Sequence, residues 1–383
     1  MITPIPLSLY IHFPWCVQKC PYCDFNSHQQ NDALDESAYI QALLNDLDFS
    51  LPQIWGRPIH TIFMGGGTPS LFSGNAIDEL ISGLRARLNL SANIEISMEA
   101  NPGTADSTNF AHYFHSGINR LSIGMQSMDN QQLQTLGRIH KVDESLQALD
   151  IARQAGFENI NLDLMFGLPE QDESAALKEL QQIIDLKPAH ISYYQLTLEP
   201  NTWFHHHPPV LPDDDDLFSM HTAGIDMLAR NGYQRYEISA FSQSGKRSKH
   251  NMNYWQYGDY LGIGAGAHSK LSMNESDTIL RMVRQKHPQS YLDTAGSKDV
   301  LSSHNNVDAT DRPFEFMMNA LRLVDGIGIE LFSQRTMLEL SYVSGAISQA
   351  QEAGLLMQNN NRIQASATGL NYLNNLLEYF LPK

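Results

Sequence analysis

The chain has 383 residues, 42% hydrophobic and 17% charged, enough for one large folded domain and a smaller one. Its formal net charge of −17 excludes a nucleic-acid partner, which would need basic patches to neutralise phosphates. No window approaches the roughly 18 apolar residues of a membrane span. The opening MITPIPLSLYIHF lacks the basic n-region and small-residue cleavage site of a signal peptide, so a cytoplasmic protein is expected, with peripheral membrane contact left open.

The first predicted strand is the run 7–13. Directly after it come the chain's three cysteines, Cys16, Cys20 and Cys23. An odd set packed this tightly is a poor disulfide framework and a good metal or cluster framework in a reducing compartment. Three thiolates can wrap one cuboidal iron–sulfur cluster and leave one iron without a protein ligand, an open position where a small molecule binds. A single zinc ion with His12 or His28 as fourth ligand is the alternative. It is disfavoured, because structural zinc usually draws ligand pairs from two separate knuckles.

Further along, amphipathic helical stretches at 36–47, 76–88, 145–155 and 175–186 alternate with short apolar runs. Those runs are 60–64, 94–98, 120–124, 160–165, 190–196 and 233–239. A unit of roughly thirty residues, strand then helix, implies parallel pairing. Six or seven such units fit a partial (β/α)6 barrel over 1–240. Glycines and isolated charges repeatedly follow the runs, at the strand ends where barrels carry chemistry. Gly65, Gly66 and Gly67 precede Thr68, and consecutive glycines let backbone approach a ligand closely; a tight turn is the plainer reading. No Lys-Ser/Thr follows, so this is not a phosphate loop. Glu99 follows the third run, Gln126 the fourth, Arg138 stands in LGRIH, and Asp163 interrupts the apolar NLDLMFGLP. A carboxylate in an apolar strand must be paired or bind something. An Arg138–Asp163 ion pair is the structural alternative to a ligand.

His205, His206 and His207 read as a solvated turn beside two prolines. The stretch 242–272 reads as loop, rich in Gly, Ser, Tyr and His, and 273–310 as a polar connector. Within the loop lies Lys249-His250-Asn251-Met252-Asn253-Tyr254-Trp255. Histidine is a common axial ligand of haem iron, and Tyr254, Trp255 and Tyr257 suit a porphyrin face. On these residues alone, a satisfied loop histidine beside aromatic core residues is the plainer reading. From Arg312 the pattern turns helical, giving a small winged-helix-like C-terminal domain over 301–383, with a turn-rich 359–362 before a last helix at 368–381. Its five Lys and Arg against eight Asp and Glu argue for packing or regulation instead of DNA binding.

The spacing CxxxCxxC, with an aromatic before the last cysteine, resembles the radical S-adenosylmethionine (SAM) superfamily. LYIHFPWCVQKCPYC, GGGTP, EANP, GMQS, GRIH, DLMFGLP and HNMNYW together resemble one subfamily over nearly the whole chain. It contains oxygen-independent coproporphyrinogen III dehydrogenase and a haem-chaperone branch. The resemblance implies a [4Fe-4S] cluster on Cys16, Cys20 and Cys23, whose open iron is chelated by the amino and carboxylate groups of SAM. Reductive cleavage of SAM to a 5′-deoxyadenosyl radical is implied with it. It matches Tyr10, Gly66, Gly67, Thr68, Glu99, Gln126, Arg138 and Asp163 to SAM-contacting positions. It also makes His250, Asn251, Tyr254 and Trp255 a haem motif. Two departures separate the branches. Phe25 stands where the dehydrogenase has a further cysteine, and the cluster motif begins sixteen residues in, without the extension that helps bind a second SAM. Both favour a haem chaperone that hands haem to acceptor haemoproteins, respiratory enzymes among them, over oxidative decarboxylation. A homodimer is compatible with this reading.

Overall fold

The structure, a computed structural model, describes residues 5–30, 33–273, 276–359 and 361–382. Of the sequence readings, the first four residues of the N-terminus and position 360 of the C-terminal turn lie outside these. Six strand–helix units follow in order: β1 (Leu7–Phe13), α1 (Glu36–Ile54), β2 (Pro58–Gly66), α2 (Gly74–Arg87), β3 (Asn89–Ala100) and α3 (Ser107–Ser116). Then come β4 (Arg120–Gln126), α4 (Val142–Gln154), β5 (Ile160–Phe166), α5 (Glu173–Asp185), β6 (His190–Gln195) and α6 (Asp214–Arg230). The strands pair in parallel in chain order, β1 to β6, as the partial (β/α)6 barrel requires. Local chemistry starts the helices. Asp35, Ser73, Asp106, Asp172 and Asp213 cap α1, α2, α3, α5 and α6, each accepting from a backbone N–H two or three residues into its helix. The acidic run 213–216 is thereby explained: one cap and three carboxylates in the first turn, against the positive end of the helix dipole.

Register decides what the barrel encloses. Ser8, Thr61 and Glu95 align across β1–β3; Tyr10, Phe63, Ser97 and Arg120 across β1–β4; Glu99, Ser122, Asn161 and His190 across β3–β6. These mostly polar rows share one face. The intervening Leu9, Ile62, Met98, Ile123 and Leu162 point to the helices and build the main core. A polar interior leaves room for ligands, whereas a full barrel is filled by apolar layers.

The rest of the sheet departs from expectation. The run 233–239 contributes only the two-residue strand Gln234–Arg235, which joins antiparallel to Ala240–Ser242 at the β6 edge. The expected loop 242–272 holds a helix, α7 (Lys249–Trp255), and a strand, β7 (Asp259–Ile263), parallel to β1. Beyond β7 three antiparallel strands, His268–Met273, Thr278–Arg284 and Leu301–Asn306, complete a twelve-stranded sheet, so ribbon runs through the end of the expected loop and the expected connector, which also holds the helix Pro288–Thr294. The ribbon's polarity concealed it. Lys270 is buried in a strand because its ammonium reaches buried Asp259 at 3.1 Å, which Arg57 also contacts at 2.8 Å.

A second core, with Phe316, Met317, Phe332 and Val343, holds the C-terminal helices Arg312–Ala320, Glu330–Thr336 and Ser341–Glu352. A two-stranded ribbon, Ile327–Gly328 with Arg362–Ile363, gives this helical domain its winged-helix character. Among the described residues, no helix is long and apolar enough to cross a membrane.

Candidate functional site

The cluster loop leaves β1 and is closed by a short parallel pairing of Trp15–Cys16 with His28–Gln29. Two bonds fasten it to the glycine run: Gly67 N–H donates to the Phe13 carbonyl at 2.6 Å and Thr68 N–H to that of Trp15 at 2.7 Å. A Cβ on Gly67 would stand 2.4 Å from the Trp15 oxygen, and Gly66 has φ +107°, so both positions need glycine. The run therefore clamps the cluster loop as well as bordering a cavity.

Each thiol has its own polar neighbour. The Thr68 hydroxyl donates to Cys16 Sγ at 3.5 Å, Arg138 Nη1 donates to Cys20 Sγ at 3.6 Å, and Ser27 Oγ lies 3.9 Å from Cys23 Sγ. Hydrogen bonds to sulfur are what tune iron–sulfur sites. Burial pushes the Cys16 and Cys23 thiols up, so the free protein holds them protonated and a bound metal would displace the protons. Three soft donors lining one cavity suit a cluster. Among the described residues no three His, Cys, Asp or Glu side chains are disposed to hold a single ion. His12 is committed elsewhere, its ring nitrogens bonded to the Tyr10 hydroxyl at 2.9 Å and the Asn26 carbonyl at 2.8 Å.

The cavity beside the cysteines has a volume of about 430 Å³, within the range of small-molecule sites. Gly66, Gly67, Thr68, Glu99, Gln126, Arg138 and Asp163 all line it together with the three cysteines. Tyr10 does not; it stacks on Phe63 and faces the neighbouring cavity. Asp163 accepts from Asn161 Nδ2 at 2.8 Å and Ser122 Oγ at 3.2 Å. Arg138 spends its second terminal nitrogen on the Gly124 carbonyl at 3.1 Å. Among the described residues these two form no ion pair with each other, and Arg138 Nε is buried without a partner. Glu99 lies deep in the barrel and accepts from Gly66 N–H at 3.1 Å. Burial, then the nearby Asp163, raises its pKa to about 7. Gln126 sits at φ +67°, which turns its amide to accept from the Tyr194 hydroxyl at 2.5 Å. Tyr22, the aromatic before the last cysteine, also lines the cavity, as do Ser122 and Tyr194, which the sequence reading did not single out. Tyr194 ends the sixth run, and the strand-end rule applied to the charges would have found it.

A second cavity, of about 790 Å³, shares Gly66, Glu99, Phe25 and Ser27 with the first. His250, Asn251 and Tyr254 line it. His250 is not on an exposed loop. It is 2% exposed on α7, whose first N–H groups, those of Lys249 and His250, donate to Glu95 at 3.1 and 3.0 Å. Thr61 donates its hydroxyl hydrogen to Ser8 at 2.7 Å, leaving its lone pair to accept from His250 Nδ1–H at 2.8 Å. That arrangement fixes the tautomer, and His250 Nε2 carries a lone pair with no hydrogen-bond partner. Burial lowers the ring's pKa to about 3, so it stays neutral. Phe63 stacks on it at 5.0 Å and Tyr254 meets it edge-on at 5.1 Å. Trp255 is not brought into this cavity: it packs against the C-terminal core, with the Arg322 guanidinium 4.5 Å over its ring. Tyr257 is likewise buried in that core. His205 and His206 end a short helix, Trp203–His206, and His207 stacks on exposed Trp203.

Comparison with known proteins places the chain in a family. Residues 10–183 match the radical SAM superfamily and residues 307–371 the HemN C-terminal domain. The heme chaperone HemW of Escherichia coli (strain K12) is 47% identical over 383 residues, all of both chains. That of Haemophilus influenzae is 47% identical over 382 residues, 99% of this chain and 98% of that one. The solved structure of coproporphyrinogen III oxidase from E. coli, a radical SAM enzyme, shares the fold with a TM-score of 0.82 at 22% identity, covering 98% of this chain and 90% of that one. On full-length identity and matching domains, the chain belongs to the radical SAM superfamily and, within it, to the HemW family of haem chaperones.

Proposed function

We propose that this chain is a haem chaperone that binds haem in the second cavity, with His250 as an iron ligand, and passes it to acceptor haemoproteins in the cytoplasm. The observation carrying the proposal is the buried, unpartnered Nε2 lone pair of a neutral, tautomer-locked histidine whose residue lines a cavity with Phe63, Tyr254 and Tyr260. Imidazole suits iron, and an apolar ring face contributes roughly 25 cal/mol for each Å² of apolar area removed from water. The relatives named heme chaperone HemW support the same reading.

Cys16, Cys20 and Cys23 would hold a [4Fe-4S] cluster, which supplies an iron with one open position for the amino and carboxylate groups of SAM. Gly66, Gly67, Thr68, Glu99, Gln126, Arg138 and Asp163 would contact SAM in the first cavity. Tyr10 would border it from the second. Asn251 and Tyr254 would contact haem, whereas Trp255 would act by seating α7 against the C-terminal domain.

Anaerobic reconstitution followed by haemin titration tests this. The expected result is about one haem per monomer, with a Soret band shifted or weakened in His250→Ala while iron and sulfide content stay unchanged. Unaltered affinity and spectrum in a His250→Ala/Tyr254→Ala double variant overturn the assignment. Turnover of coproporphyrinogen III by the wild type would favour the decarboxylase reading, which Phe25 argues against.

A further inference from the structure

The second cavity brings two lysines together in an acidic chain. Against 42 Asp and Glu and 25 Lys and Arg overall, its lining holds Lys19 and Lys286 with Asp24 and Glu99, an even balance of charge. The two lysines come from distant segments that Asn26 ties together. Its side-chain amide donates to the Lys286 carbonyl at 2.9 Å and to that of Ala265 at 3.0 Å, and its own carbonyl accepts from His12. Lys19 Nζ donates to the Phe25 and Ser27 carbonyls, each at 3.3 Å, on either side of Asn26. An ammonium has three hydrogens, so one remains for a ligand. Lys286 is exposed, and among the described residues no hydrogen bond or ion pair involves its ammonium. The Lys286 charge is felt inside: after burial, it is the next cause that lowers the pKa of His268.

A cavity walled by Phe63, Tyr254 and Tyr260, with two ammonium groups around one loop at its mouth, matches a flat ligand. Such a ligand is apolar across its face and carboxylated along one edge. We propose that Lys19 and Lys286 bind the carboxylate arms of the tetrapyrrole and so orient the ring in the cavity. The inference rests on the haem reading above but concerns a different part of the ligand.

The test compares haemin with haemin dimethyl ester, which keeps the ring and iron and loses both negative charges. Both are titrated into the cluster-loaded wild type, Lys19→Gln, Lys286→Gln and the double variant, with iron content checked because Lys19 adjoins Cys20. The expected result is a loss of about tenfold in haemin affinity for the double variant, with ester affinity the same across all four proteins. Equal losses for both ligands, or none for either, overturn the lysine assignment while leaving haem binding intact. Binding of neither ligand to the wild type overturns the haem reading and the lysine assignment with it.

Discussion

Glu99 shows how the barrel interior handles charge one residue at a time. Its carboxyl is held up at about pH 7 against an ordinary 4.5, chiefly because it is buried and secondly because Asp163 is near. Between those two pH values the native state therefore binds more protons than the unfolded one, and stability falls as pH rises through the window. Glu99→Gln cannot ionise and escapes that fall. In cluster-free protein, urea unfolding should show the variant and wild type about equal near pH 5. Near pH 8 the variant should be more stable by on the order of 2 kcal/mol. A difference that does not change between the two pH values would remove the buried-carboxylate account. The residue was legible in sequence because a charge at the end of an apolar run is conspicuous. The interior partners Ser122, Asn161 and Ser192 were not, since small polar residues in a strand carry no such signal until register aligns them.

At the scale of elements, the six strands were readable because parallel central strands are apolar on most positions and their helices carry clean caps. Helix α7 was not. Seven residues are too few to fold alone, and its start depends on Glu95, more than 150 positions earlier in sequence. Glu95 satisfies two N–H groups at a helix start that is buried at His250 and partly buried at Lys249, where a lost acceptor costs about 1–3 kcal/mol for a buried donor. Glu95→Ala should therefore lower stability by roughly 3 kcal/mol and weaken haemin binding by displacing His250. Lys249 and His250 donate to different oxygens of Glu95, so Glu95→Gln, which keeps only one acceptor oxygen, should recover about half of the loss. Chemical denaturation and Soret titration on the two variants check this. An alanine variant as stable as its parent would show that Glu95 does not hold the helix.

For the whole molecule, the C-terminal domain was expected as a packing or regulatory unit, and its helices pack around a core of their own. What no local pattern shows is how it reaches the second cavity. Glu315, on the helix Arg312–Ala320, accepts from the Tyr257 hydroxyl at 2.7 Å and from Arg281 at 2.6 Å. Arg281 also donates to the Tyr260 hydroxyl at 2.6 Å; Tyr260 packs on Tyr254 at 4.3 Å between ring centres, and Tyr254 meets His250. This is a contiguous series of contacts from the smaller domain to the histidine. Contiguity alone does not establish coupling, which has to be measured. Glu315→Ala removes an acceptor shared by two partly buried donors, so a stability loss of about 1–3 kcal/mol is expected from the fold alone. The stronger expectation concerns haem. If the series is mechanically tight, Glu315→Ala should speed haem dissociation several-fold without touching iron or SAM content. Its effect should also be non-additive with Tyr254→Ala, by about 0.5–2 kcal/mol in a double-mutant cycle on the dissociation rate. Additivity within about 0.5 kcal/mol would mean that Glu315 supports only the fold, and that the C-terminal domain does not act on the haem cavity through Arg281 and Tyr260.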